Sequence, residues 1–130
     1  MKNKRKGRLP ISTAVVVLVI LCAGILLIES QTKIIRRWID DVIYDNQNHY
    51  LACEQLPSIS EVEKVLEEHR DMVDQIEAIN PGFVGVEVHP CGNGNADITF
   101  WYGSHQDRLM IEQIIGNDTF FGVPYNLHNR

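Results

Sequence analysis

The stretch "FVGVEVHPCGNGNADITFWY", residues 83–102, decides the fold. Its first part alternates, with Val84, Val86 and Val88 on one face and Gly85, Glu87 and His89 on the other. Residues 96–102 alternate again, with Ile98, Phe100 and Tyr102 set against Asp97, Thr99 and Trp101. A period of two with one apolar side is the pattern of a half-buried strand. Between the two, "PCGNGN" is rich in residues that accept positive φ, so the chain reverses there. The stretch therefore reads as a β-hairpin, with a loop somewhat longer than the tightest type.

Before the hairpin, residues 58–79 have helical spacing. Val62, Val65, Leu66, Val73, Ile76 and Ile79 form one apolar stripe, with His69 and Met72 on or beside it. Ser58 and Ser60 are candidate caps, and Glu63 follows Ser60 at capping-box spacing. "NPG" at 80–82 ends the helix. Glu63, Glu67, Asp74 and Glu77 line another side, which reads as a solvated face. After the hairpin, "SHQDRLMIEQII" (104–115) is a second helix between Ser104 and Gly116. "DTFFGVPYNL" (118–127) is a last strand, placed at a sheet edge because Pro124 cannot donate a ladder hydrogen bond.

The order is α-β-β-α-β. The simplest closure sets the last strand beside the first, giving sheet order 2-1-3 with both helices on one face. The fold class is α+β: a small two-layer sandwich built on a split β-α-β unit. A ~20-residue helix is ~30 Å long, and the strand returning from it covers ~25 Å. Cys53, just before the helix, and Cys91, just after the strand, then lie at one end of the domain. They are expected to form a disulfide, which implies an oxidising compartment.

The N-terminal region is of another kind. "PISTAVVVLVILCAGILLI" (10–28) carries no charge and follows the basic "MKNKRKGR". About 20 apolar residues at ~1.5 Å rise cross the ~30 Å hydrocarbon core. Positive flanks stay in the cytoplasm, so the remainder is expected outside. The run exceeds the ~7–15 residues of a signal-peptide core, and Ile28 and Ser30 match a cleavage site poorly, so an uncleaved anchor is expected. Residues 1–8 are then a basic cytoplasmic tail and 9–28 a transmembrane signal-anchor. Residues 29–52 form a juxtamembrane amphipathic stalk, and 53–130 the extracytoplasmic domain. In the stalk, "TKIIRRWIDDVIYD" (32–45) pairs apolar residues at four-residue steps, and Trp38 beside Arg36 and Arg37 suits a membrane boundary.

Charge limits the partners. Residues 29–130 hold seven basic and 17 acidic side chains, a formal charge of −10. Phosphate affinity comes from Lys and Arg, so nucleic acid is disfavoured. The bilayer and a protein of the cell envelope are the expected partners.

No nucleophile–base pair or ligand triad stands out, and no cofactor or metal is expected. His89 and His105 fall at opposite ends of the sheet, on the order of 20 Å apart, too far for one metal. Glu87 and His89 share a strand face and carry the alternative reading, a small envelope enzyme or metal-binding protein. A cleaved, secreted domain is a further alternative. Folding leaves one feature open. Trp101 stands on the face away from the core, with Glu87 beside it, and Phe121 and Tyr125 lie in or near the last strand. These four are the candidate interaction residues. The sequence thus reads as a single-pass membrane-anchored protein with a disulfide-stapled domain that binds rather than catalyses.

Overall fold

A computed structural model describes residues 11–130. The expected basic tail at 1–8 and the start of the anchor lie outside the described residues. The described residues divide into two compact units, 11–36 and Arg37–Arg130.

In the first unit, α1 (Ile11–Thr32) is a 22-residue helix without a charged residue before Glu29. Its side chains are exposed on all sides rather than along one stripe, so it is apolar all round. Among the described residues it is the one helix long and apolar enough to cross a membrane. Lys33, in the left-handed conformation, ends it. A second helix, α2 (Ile34–Val42), follows at once. The Glu29 carboxylate accepts from the amides of Ile35 (2.8 Å) and Arg36 (2.9 Å), satisfying donors that the first turn of α2 leaves open.

The second unit is an α+β sandwich. A 3₁₀ turn (Cys53–Gln55) leads to α3 (Ile59–Glu68) and α4 (Arg70–Glu77). The hairpin β1 (Gly85–Gly92) and β2 (Asn95–Tyr102), α5 (His105–Ile115), and the strands β3 (Thr119–Phe120) and β4 (Val123–Asn129) follow. Ser58 caps α3, its Oγ accepting from the Glu61 amide (3.3 Å). Ser104 caps α5 in the same way, and Gly116 ends it in the left-handed conformation. The single helix expected over 58–79 breaks at His69, which leaves helical geometry (φ −117°, ψ 35°).

The sheet order is β1-β2-β4-β3, which corrects the expected 2-1-3. β4 pairs in parallel with β2, from Ile98↔Tyr125 to Tyr102↔Asn129. This is the direct closure of a β-α-β unit. β2 is the strand that tolerates the centre, because Asp97 and Thr99 on its second face are buried along with Ala96, Ile98, Phe100 and Tyr102. β1 takes the edge, and it carries the edge signals: Pro90, and a bulge between Pro90 and Gly92. β4 is not an edge, because its ladder with β2 begins only at Tyr125, one residue after Pro124.

Both hairpins use two-residue turns. Asn93 (φ 51°) and Gly94 (φ 80°) join β1 to β2, tighter than the expected loop, and Phe121 (φ 50°) and Gly122 (φ 89°) join β3 to β4. Positive φ at both central residues matches the twist of the flanking strands. The bulge leaves Cys91 without a cross-strand partner, and Cys91 is disulfide-bonded to Cys53 (Cα–Cα 5.7 Å). The core lies between the helices and one sheet face, from Val62, Val73, Ile76 and Ile111 to Ile98, Phe100, Tyr125 and Leu127.

The compact unit starts before the boundary expected at residue 53. Residues 41–50 lie against the sandwich rather than forming a free stalk. Gln47 exchanges two backbone hydrogen bonds with Leu127 of β4 (2.9 and 2.8 Å).

Candidate interaction site

The face of the sheet opposite the helices carries Gly85, Glu87 and His89 of β1, Asp97, Thr99 and Trp101 of β2, and Asn126 and His128 of β4. At one end the carboxylate of Asp97, 4% exposed, is enclosed by three partners. His49 Nε2 lies 2.7 Å from Oδ2, Asn126 Nδ2 donates to the same oxygen (2.9 Å), and His89 Nδ1 lies 3.2 Å from Oδ1. The Leu51 amide donates to His49 Nδ1 (2.9 Å), so that nitrogen is an acceptor and Nε2 carries the proton given to Asp97. Both ring nitrogens of His49 are therefore used. His49 fastens residues 41–50 to the sheet; it is not placed as a base. His89 reaches the other oxygen of the same carboxylate through its Nδ1.

Glu87, the expected companion of His89, is held elsewhere. Arg130 Nη2 donates to its carboxylate (3.1 Å), and the Arg130 guanidinium sits 5.0 Å above the Trp101 ring. The ring lies flat against Gly85, where a Cβ would stand 2.1 Å from it. An aromatic side chain thus covers a glycine on the neighbouring edge strand. Trp101 is half-buried between Gly85 and the last residue of the chain, which accounts for its position on this face without a partner. Glu87 and Trp101 meet through Arg130, whereas His89 turns to Asp97. Among the described residues no group of three or more His, Cys, Asp or Glu could hold a metal ion.

Phe121 and Tyr125 do not converge. Tyr125 is 5% exposed, its ring 5.4 Å from that of Phe100 and its hydroxyl donating to the Asn117 carbonyl (3.0 Å). This corrects its assignment as an interaction residue: an inward residue of the central strand β4 belongs to the core. Phe121, at the hairpin tip, is 50% exposed. One side of its ring stacks on His69 (centroids 3.3 Å, planes 4° apart). The tip also borders a recess of about 430 Å³ shared with Met72, Ile115 and Thr119.

A second polar seam ties residues 41–45 to α5. Arg108, 7% exposed, donates to Asp45 (2.9 Å), Glu112 (2.9 Å) and Asp41. Burial alone would lower the pKa of this guanidinium; hydrogen bonds to Asp41, Glu112 and Asp45 reverse that and raise it. The Tyr102 hydroxyl donates to the Asp45 carbonyl, and burial, then the Asp45 charge, hold it above the ordinary phenol range. His105 Nδ1 also meets Asp45 (2.7 Å), so His105 and His89 serve different carboxylates. Beside this seam is an open groove of about 670 Å³ between Trp38, Asn48, Arg108, Asp118 and Tyr125.

Sequence patterning missed His49, Asp45 and Arg108. Their partners lie 48, 57 and 63 residues away at the nearest long-range contacts, and no periodicity marks them. Comparison with family models, with curated proteins and with solved structures returns no match.

Proposed function

We propose that the chain is a single-pass membrane protein, with its N-terminus cytoplasmic and its Arg37–Arg130 domain outside, that acts by binding a protein of the cell envelope rather than by catalysis. Two features support the placement. An apolar helix follows five basic residues, and the domain holds a Cys53–Cys91 disulfide.

The observation that carries the binding reading is Phe121. Bulky residues rarely take positive φ, and such outliers gather at functional sites. Among the described residues two aromatics do so, Tyr50 and Phe121. Tyr50 is engaged through its hydroxyl by Asp40 and over its ring by Arg37. Phe121 instead leaves half its surface in water at the tip of a hairpin, where Asn or Gly would fit the turn better. Glu87, beside the Arg130-capped Trp101, is the second candidate contact.

A photo-crosslinking residue at position 121, with Glu63 on an exposed helix face as control, tests this in native membranes. A discrete adduct from 121 and none from 63 is expected; equal labelling contradicts the reading. A membrane-impermeant maleimide tests the topology in intact cells carrying Ser60→Cys in a Cys22→Ser background. Labelling is expected, and protection until lysis would place the domain inside.

A further inference from the structure

Helix α2 is packed inside out. On a helical wheel Ile34, Ile35, Trp38, Ile39 and Val42 share one arc, and Arg36, Arg37, Asp40 and Asp41 share the opposite one. A helix that docks on a water-soluble domain ordinarily buries its apolar arc. Here the polar arc makes the contacts. Asp41 binds Arg108, Asp40 accepts from Asn48 and Tyr50, and the Arg37 guanidinium covers the Tyr50 ring. The apolar arc is left outside. Trp38 is 59% exposed, Val42 is exposed with Ile43 and Tyr44 directly after it, and only Ile39 is half-buried.

We infer that this arc is a lipid-contact surface, set into the headgroup–acyl boundary of the non-cytoplasmic leaflet while the polar arc carries the domain. The inference rests on the membrane-anchored reading above. Three observations select lipid over a second protein. Only Lys33 separates α2 from the apolar α1, so the covalent chain keeps α2 at the bilayer surface if α1 crosses it. A short helix with one apolar and one strongly polar face lies in the interface plane. Trp, which here stands within the apolar arc between Ile34 and Val42, favours that depth.

The test uses the full chain with Trp101→Phe, which leaves Trp38 as the single tryptophan, reconstituted into phosphatidylcholine–phosphatidylglycerol vesicles. Lipids brominated near the headgroup are expected to quench Trp38 more than lipids brominated near the chain ends. Aqueous acrylamide is expected to quench it several-fold less than free N-acetyltryptophanamide. Strong acrylamide quenching overturns the inference. Weak acrylamide quenching without bromolipid quenching also overturns it, because a protein surface then covers the arc. Flotation of the same vesicles separates the two claims. A chain that floats while Trp38 meets water defeats the lipid-contact surface alone; a chain that does not float defeats the anchor as well. Should Trp101→Phe not fold, a nitroxide on Val42→Cys in a Cys22→Ser background reads the same depth by its accessibility to oxygen against an aqueous relaxant. Greater access to oxygen is the expected result, and greater access to the aqueous relaxant overturns the inference.

Discussion

Helices α3, α4 and α5 meet the sheet through Val62, Val73, Ile76, Ile111 and Ile115, whereas residues 41–50 are held through Asp41, Asp45, His49 and the backbone of Gln47. The first attachment is non-directional and grows with the apolar area removed from water. The second depends on a few directional bonds to buried groups, Arg108 and Asp97. Apolar packing gives way gradually as side chains are trimmed. A buried polar seam fails at once when one member is removed, because its partner keeps the full cost of desolvation.

The disulfide joins the end of the polar segment to the edge strand, so breaking it disturbs both attachments and has the largest expected effect. It closes a 38-residue separation, and Cys53→Ser/Cys91→Ser is expected to lose about 4 kcal/mol on the chain-entropy account, read as a lower urea midpoint. Arg108→Met separates the two regions. The side chain is buried, but Asp41 is 57% exposed and can return to water, so about 3 kcal/mol is expected, the low end for breaking a buried pair. The exposed Arg70–Asp74 pair is the control. Arg70→Ala should change stability by about 0.5 kcal/mol or less, and equal losses from the two variants would deny the seam its role.

The seam also has a pH signature. The Tyr102 pKa is raised by burial and by Asp45, and that of Tyr125 by burial, then Glu112 and Asp118. A raised folded value means that the folded state keeps protons the unfolded chain has released. This stabilisation is fully present below the unfolded value near 10 and is lost as pH rises beyond it. The urea midpoint should therefore fall on the alkaline side, less steeply in Tyr102→Phe. A midpoint independent of pH there would contradict the buried placement.

Phe121→Asn gives the smallest expected change. Relief of the left-handed cost is worth roughly 1 kcal/mol, offset by loss of the stack on His69, so the urea midpoint should move by less than that. A large destabilisation would instead make the hairpin tip structural.

The same comparison explains what the sequence made legible. Period-two alternation located both strands of the hairpin, caps at Ser58 and Ser104 located the helix starts, and lengths brought Cys53 to Cys91. Strand order was misjudged because Pro124 drew attention as an edge signal while Pro90, the true one, was taken as part of a turn. The α3–α4 break was hidden because His69 continues an apolar stripe and leaves the helix only to stack on Phe121. The polar seam had no period at all. Asp45 ends the stretch that reads as an amphipathic stalk and His49 follows where that pattern stops, and their partners appear only once the chain has folded.

Native-state amide exchange of the full chain in lipid nanodiscs tests the central claim, that residues 41–50 are built into the domain by this seam. The Gln47 amide, which donates to Leu127 (2.9 Å), should be protected to a degree comparable with core strand β2. That protection should fall selectively in Asp97→Ala, which removes the acceptor that the His49 ring and the Asn126 amide share. A Gln47 amide that exchanges in the unsubstituted protein at the rate of unstructured peptide would contradict the account.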